Sequence, residues 1–239
     1  MAVYDYPCRV TYDDIDNTLH LSMKGAMNVM QEAALLDASR SGYSVTNVEE
    51  TGVVWLLVQW RIRILEPCMW SEPLHVKTWP RTMERLKSER DFFVCKEDGT
   101  PVCKAESIWM LVSAHTGHPT RITPEIYDAY DLTEDRVFSE PLDVIPAEEG
   151  ELTCTYVVTP RDLDTNRHMN NRVYLDLAKE ALPEELRGKH FPEVTIRYHL
   201  QLLLGDTVRC RYHKADGCHV IALTGEDPKH LHATVVFYE

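Results

Sequence analysis

The residues best suited to chemistry lie in one short polar segment before a predicted helix. Asp164, Asn166 and His168 alternate there, followed by Asn170 and Asn171. Histidine transfers protons near neutral pH, and a carboxylate or amide can orient it. Free N–H groups at the start of the helix could hold a developing oxyanion. A second interpretation stays open, in which the Asp and Asn side chains only cap the helix and His168 packs or faces solvent.

The elements around this segment occur twice along the chain. In each half, a short extended piece leads through an acidic turn to one helix with an apolar face, and then to four strand-like runs. The turn at residues 14–16 parallels the turn at residues 162–164. Ser22 is the expected N-cap of the first helix and Gly42 its stop, whereas the second helix is expected over Asn171–Leu182.

Glycine, proline and aspartate separate the predicted strands. The predicted strands of the first half are Val53–Leu65, Leu74–Pro80, Leu86–Lys96 and Pro101–His115. The second half has an extended piece, Leu152–Thr159, before its helix. Its strands after the helix are Glu193–Leu204, Asp206–Lys214, His219–Thr224 and His230–Tyr238.

This repeat predicts an α+β fold of two tandem units, each a curved antiparallel sheet wrapped around a central helix. Joining the two sheets edge to edge would bury strand edges that otherwise promote aggregation. We expect the N-terminal unit over residues 1–122, an acidic proline-containing linker over 123–150, and the C-terminal unit over 151–239.

The composition, 44% hydrophobic and 26% charged residues, is that of a globular protein. A net charge of −13 argues against nucleic-acid binding, which needs surplus Lys and Arg. Seven scattered cysteines without a Cys-x-x-Cys motif indicate reduced thiols. Because neither a signal-peptide pattern nor an apolar run of about 20 residues occurs, we predict a cytoplasmic protein without membrane contact.

The motif Asp-Leu-Asp-x-Asn-x-His-x-Asn-Asn at residues 162–171 resembles that of the acyl-acyl carrier protein (acyl-ACP) thioesterases of plants and bacteria. In that family, two hot-dog units lie in tandem. The resemblance covers most of the chain. It includes Met23–Ala34, Gly52–Leu57, Trp79–Arg81, Arg90–Phe92 and Ser107–Val112.

The resemblance implies hydrolysis of a fatty acyl thioester, which releases the fatty acid and the carrier thiol without a cofactor or metal. Acyl carrier protein (ACP) would be the partner. Asp164, Asn166 and His168 match the family's catalytic Asp, Asn and His. A backbone N–H at the helix start, at Asn170 or Asn171, would polarise the carbonyl.

One position departs from the family pattern. Where the family has Glu-Tyr-Arg-Arg-Glu-Cys, this chain has Arg-Tyr-His-Leu-Gln-Leu at residues 197–202. The water-activating Glu therefore aligns with Gln201, whose neutral amide orients water but cannot accept its proton. Three explanations remain open: Asp164 or His168 is the base, the enzyme is slow, or the alignment slips by a residue or two.

Four residues of the first unit are candidates for substrate binding: Met23, Met27, Met30 and Trp55. A methionine face at helical spacing is more often plain core. In the hot-dog family, however, the first central helix borders the acyl tunnel. The first-unit loop at residues 16–20 lacks the Asp-x-Asn-x-His spacing. We therefore expect the N-terminal unit to bind the acyl chain and the C-terminal unit to hydrolyse the thioester.

Basic residues between the first and third strands form a candidate docking face for an acidic carrier protein, although solvated surface charges are an equal alternative. They are Arg61, Arg63, Lys77, Arg81, Arg85, Lys87 and Arg90. His230 and His232 lie at spacing open to a metal, but no ligand-spaced Cys or carboxylate accompanies them, so no metal site is predicted.

Three other functions stay open on the sequence. An acyl-CoA thioesterase would share the chemistry, a hot-dog hydratase would add water to an enoyl bond, and a fatty-acyl-binding protein would not hydrolyse its ligand. Chain-length preference is not predicted, and either a monomer or a homodimer is compatible with the tandem repeat.

Overall fold

The computed structural model describes residues 3–142, 145–148 and 150–239, and divides the chain into two compact units, at Pro141/Leu142. The sheet of the first unit is antiparallel, in the order β1-β3-β4-β5-β2. Its strands are β1 (Tyr4–Arg9), β2 (Val53–Ile64), β3 (Pro73–Glu84), β4 (Lys87–Lys96) and β5 (Pro101–Ser113). Its helices are α1 (Met23–Arg40), α2 (Val48–Thr51) and α3 (Pro124–Asp128).

Helix α1 is the central helix of this unit. The predicted N-cap is confirmed, because the Ser22 hydroxyl accepts a hydrogen bond of 2.9 Å from the N–H of Gly25. One apolar face of the helix is buried in the unit, which follows the predicted periodicity. That face includes Ala26, Met27, Val29, Met30, Ala33 and Ala34.

The second unit repeats this arrangement with a shorter helix. Its antiparallel sheet has the order β7-β10-β9-β8-β6. The elements are β6 (Glu151–Val157), α4 (Asn171–Ala181), β7 (Glu193–Tyr198), β8 (Thr207–Ala215), β9 (Cys218–Thr224) and β10 (Leu231–Tyr238). Both units thus have the predicted α+β composition of an antiparallel sheet and one long helix.

One strand is shorter than predicted. β7 ends at Tyr198 and not at Leu204. Beyond it the chain leaves the sheet and pairs with the polar loop before α4, where the N–H of Met169 donates to the carbonyl of Leu202 over 2.8 Å. The apolar side chains that suggested a strand are largely exposed, since Leu203 and Leu204 retain 50% and 57% of their accessible surface.

Much of the stretch expected to be a linker packs on the N-terminal unit. Helix α3 begins at Pro124 with its N-cap at Thr123, and Ile126, Tyr130 and Phe138 are buried. Residues 123–141 therefore extend the first unit. Residues 143, 144 and 149 of the same stretch lie outside the described part of the chain.

Candidate active site

The loop between β6 and α4 is held at its start by a buried carboxylate, Asp162. One of its oxygens, Oδ2, accepts hydrogen bonds from the backbone N–H of Thr159 at 2.7 Å and the hydroxyl of Thr159 at 2.6 Å. The Tyr156 hydroxyl donates to the same oxygen over 2.7 Å. Burial alone would raise the pKa of Asp162, but these hydrogen bonds outweigh it and lower the pKa. The side chain is therefore a carboxylate that fixes the loop.

Asp164 folds the next residues into a tight turn. Its Oδ1 accepts the backbone N–H of Asn166 at 2.8 Å and that of His168 at 3.1 Å. Its own N–H donates to the carbonyl of His168 over 2.8 Å. Arg167 completes the turn with a left-handed backbone, at a φ of 62°. The structure thus brings together the three residues of the Asp-x-Asn-x-His element, and Asp164 acts on the backbone that carries the imidazole.

The imidazole of His168 is partly exposed and makes no hydrogen bond within the described part of the chain. His168 forms an isolated antiparallel bridge with Leu203. Gln201 is exposed and lies two residues before Leu203, in irregular backbone rather than in the predicted strand. His168 is therefore free to contact a substrate or a water molecule.

The two asparagines at the start of α4 differ in what they can offer. The Asn170 side-chain oxygen is the N-cap and accepts the backbone N–H of Arg172 at 3.1 Å. The carbonyl of Asn171 accepts the Tyr198 hydroxyl at 3.0 Å. The N–H of Asn171 lies in the first helical turn and has no partner among the described residues. Asn171 thus keeps a backbone donor at the positive end of the helix.

Two tyrosines that sequence reasoning missed support this loop. Tyr174 and Tyr198 pack edge to face with ring centroids 5.2 Å apart. Burial raises the pKa of both hydroxyls, and at Tyr174 a hydrogen bond that the hydroxyl oxygen accepts from the backbone of Leu202 opposes this rise. They tie α4 to the segment that faces His168. The sequence signal for Tyr174 was its position three residues after Asn171, on the helix face that turns inward.

The N-terminal unit contains a loop of the same construction. Asp16 accepts the N–H and the hydroxyl of Thr18 at 2.8 and 2.6 Å through its Oδ1, as Asp164 accepts the N–H of Asn166. Leu19 has a φ of 63°, and His20 forms an antiparallel bridge with Met69. Contrary to the expectation that this loop lacks the Asp-x-Asn-x-His spacing, Asp16 and His20 have the spacing of Asp164 and His168, and only the Asn is replaced, by Thr18. The backbone of the loop is nevertheless repeated.

The four candidate substrate-binding residues of the first unit separate into two groups. Met23, Met27 and Met30 are core residues, at 7%, 0% and 0% exposure. Trp55 instead lines a cavity of about 480 Å³, counted out to its solvent-exposed mouth, between the C-terminal half of α1 and the sheet. The other lining residues are Ala34, Leu35, Ala38, Tyr43, Ser44, Val45, Val54, Met83, Ser88, Arg90, Trp109 and Tyr130.

Three of the seven members of the predicted basic docking face are buried in ion pairs and cannot contribute to an exposed surface. Arg61, Arg81 and Arg90 retain only 4%, 7% and 5% exposure. They pair with Glu106 and Glu140, with Glu89 and Asp91, and with Asp37, respectively. Alternation along the strands could not reveal this, since it does not say that Phe138 and Glu140 of a later segment cover Arg61 or that Asp37 of α1 pairs with Arg90. Arg85 and Lys87 remain exposed at the β3–β4 turn.

No three His, Cys, Asp or Glu side chains cluster as metal ligands in residues 3–142, 145–148 and 150–239. Over the same ranges, no helix combines the length and apolarity needed to cross a bilayer.

Comparison with known proteins gives matches in both halves. Residues 2–130 match the family model of the acyl-ACP thioesterase N-terminal domain, and residues 147–234 match that of the C-terminal domain. An oleoyl-acyl carrier protein thioesterase of Arabidopsis thaliana is 27% identical over 201 residues, which are 76% of this chain and 54% of the relative. The chain therefore spans about half the length of the curated relatives it matches.

Two solved structures share the fold. An acyl-ACP thioesterase from Bacteroides thetaiotaomicron superposes with a TM-score of 0.87 over 99% of this chain and 97% of that one, at 21% identity. A 12:0-ACP thioesterase from Umbellularia californica gives 0.84 over 100% and 97%, at 18% identity. These matches confirm the tandem hot-dog fold.

Proposed function

Because the chain belongs to the acyl-ACP thioesterase family, we propose that it hydrolyses fatty acyl-ACP to free fatty acid and ACP, ending chain elongation in fatty acid biosynthesis. The observation that carries this proposal is the loop before α4, where Asp164 holds the backbone of His168 and leaves the imidazole free. Seven unpaired cysteines support a reducing compartment such as the cytoplasm.

In the proposed reaction, His168 takes a proton from water as the water oxygen attacks the thioester carbonyl carbon. The C–S bond then breaks, and the carrier thiolate leaves and takes up the proton. The N–H of Asn171 stabilises the developing oxyanion, and such a donor is worth about 3 kcal/mol. Asp164 positions the loop, because its carboxylate accepts two backbone N–H groups of that loop. Asn166, exposed in the turn, orients the thioester or the water.

Gln201 is proposed to orient the attacking water. His168 and Leu203 form a non-hydrogen-bonded antiparallel pair, whose side chains share a face. Gln201 and Leu203 are both exposed while Leu202 between them is buried. We therefore infer that Gln201 lies on the same side of its segment as Leu203 and close to His168. An amide at this position can donate a hydrogen bond to water or accept one from it. It cannot take up the proton of the water molecule, which goes to the imidazole instead.

The cavity of the N-terminal unit is the proposed acyl-chain site. Its walls are mainly apolar, and its small residues Ala34 and Ala38 on α1 leave room opposite Trp55 and Trp109. Met23, Met27 and Met30 pack in the core of the same unit and support α1 rather than line this cavity.

A thiol-release assay on acyl-ACPs from short to long chains tests the function. We expect turnover by the wild type and a loss of about 10²–10⁴-fold in His168→Ala. His20→Ala, the matched change in the N-terminal loop, keeps turnover. No thiol release from any acyl-ACP contradicts the proposal, and faster release from acyl-CoA of equal length assigns the protein to a CoA substrate.

A further inference from the structure

The cavity of the N-terminal unit carries three polar side chains in its otherwise apolar wall. Ser88, Arg90 and Tyr130 retain 4%, 5% and 7% exposure. Ser88 and Arg90 are two residues apart on β4 and therefore face the same side of the sheet. The pKa of Tyr130 responds to the charge of Arg90, so the tyrosine hydroxyl lies near the guanidinium. A cavity built only for a hydrocarbon chain has no use for these groups.

Two of the three side chains have a donor to spare. The Ser88 hydroxyl makes no hydrogen bond within the described residues. The Tyr130 hydroxyl accepts from the Trp55 indole over 3.1 Å, and its own proton has no acceptor there. Burial raises the pKa of Tyr130 to about 12, so that proton is retained. A buried donor without an acceptor costs about 1–3 kcal/mol. A bound hydrocarbon chain would incur this cost, because it would displace water from the two donors and offer no acceptor in its place.

The third side chain limits the charge of any ligand group. Arg90 donates to a carboxylate oxygen of Asp37 over 2.8 Å and to the hydroxyl of Thr78 over 3.2 Å. Its charge is therefore already balanced by a partly buried carboxylate. A ligand carboxylate would add an unbalanced negative charge beside Asp37. A neutral oxygen that accepts hydrogen bonds meets the spare donors without that penalty.

Building on the proposed function, we propose that the preferred acyl chain carries a neutral oxygen, a hydroxyl or keto group, which accepts hydrogen bonds from Ser88 and Tyr130 in this cavity. The substrate class is then an oxygenated fatty acyl thioester rather than a plain saturated one. A site with buried donors discriminates against the analogue that lacks the acceptor, because the donors stay unpaired.

The test compares kcat/KM for acyl-ACPs of one length, either unsubstituted or with a hydroxyl or keto group at successive positions. At 1–3 kcal/mol, we expect at least one oxygenated chain to be favoured roughly 10- to 100-fold. Ser88→Ala and Tyr130→Phe lower turnover of the oxygenated acyl-ACP and raise turnover of the unsubstituted acyl-ACP, since each substitution removes a spare donor. Ser39→Ala and Tyr127→Phe, at exposed positions of the same unit, keep the preference.

A binding measurement separates this inference from the proposed hydrolysis. Plain and oxygenated free fatty acids are titrated into the protein, and binding is followed by the change in tryptophan fluorescence. Trp55 and Trp109 lie in the cavity wall and should respond to a bound chain. Preferential binding of an oxygenated acid without thiol release from any acyl-ACP supports the inference and removes the function. Thiol release with equal or better binding of the plain acid at every position overturns the inference alone, and absence of any binding overturns it too.

Discussion

At the scale of the residue, Asp164 and His168 differ in their hydrogen bonds. The Asp164 carboxylate accepts the N–H groups of Asn166 and His168, whereas the imidazole has no partner in the described chain. The sequence left open which of the two is the base. The geometry favours His168, because two backbone N–H groups occupy the Asp164 carboxylate while the imidazole is open to contact with water.

Substitution of Asp164 separates positioning from proton transfer. Asp164→Asn keeps an oxygen for the two N–H groups, so we expect kcat within about tenfold of the wild type. Asp164→Ala removes the acceptor, and the loosened loop lowers kcat by roughly 100-fold. Asp16→Ala makes the matched change in the N-terminal loop and spares kcat. If Asp164→Asn is as inactive as Asp164→Ala in the thiol-release assay, Asp164 is the base.

Gln201 gives a second prediction at this scale. Gln201→Ala lowers kcat by roughly tenfold, because the water loses an orienting partner, and Gln201→Glu raises it, because a carboxylate also accepts the proton. Leu204→Glu adds the same charge at an exposed position of the same segment and leaves kcat within about twofold. Unchanged turnover in both Gln201 variants would remove Gln201 from the site.

At the scale of the element, each central helix begins after a loop of the same backbone design, and in the N-terminal unit the first helical turn lies very close to that loop. In the N-terminal unit, a Cβ on Gly25 would lie 2.0 Å from the backbone oxygen of Asp14. Asp14 also accepts the N–H and the hydroxyl of Ser22 through that oxygen, at 2.9 Å each. The first turn of α1 is thus pressed against the loop, and glycine permits the contact.

Gly25→Ala is expected to destabilise the N-terminal unit by about 3 kcal/mol or more. Alanine favours a helix by about 1 kcal/mol over glycine, but the clash is with backbone, which cannot rotate away. Denaturant unfolding measures the loss. Gly188→Ala is the control, since nothing lies within 4 Å of its Cβ position. A variant as stable as the wild type would contradict the packing of α1 on the loop.

At the scale of the whole molecule, surface charge affects how the proposed partner, an acidic carrier protein, can approach. With a net charge of −13, most of the protein surface should repel an acidic partner. Because Arg61, Arg81 and Arg90 are buried in ion pairs, the basic surface proposed from sequence is reduced to a smaller patch around the exposed Arg85 and Lys87.

Reversing the charge of this patch tests whether it binds the carrier protein. In Arg85→Glu/Lys87→Glu, we expect kcat/KM for acyl-ACP to fall about tenfold at low salt, and less at high salt, because the attraction is screened. The same variant hydrolyses a small acyl thioester without a protein carrier as well as the wild type does. Lys229→Glu, at an exposed site of the C-terminal unit, is the charge control. An equal loss on both substrates would mean a structural defect.

The sequence by itself determined much of this protein. Repeated turns, helix caps and alternating strands predicted two α+β units, because those signals act over a few neighbouring residues. The spacing of Asp164, Asn166 and His168 was also readable, since all three lie in one loop.

Only the tertiary structure decided which side chains face a cavity, a partner or solvent. The methionines of α1 fill core positions while Trp55 lines the cavity. Among the arginines that alternate like surface charges, Arg61 is covered by Phe138, whereas Arg90 pairs with Asp37 of α1. β7 stops early because residues 202 and 203 pair with the loop that carries His168. Each of these outcomes depends on contacts between residues far apart in the chain, which local patterns do not encode.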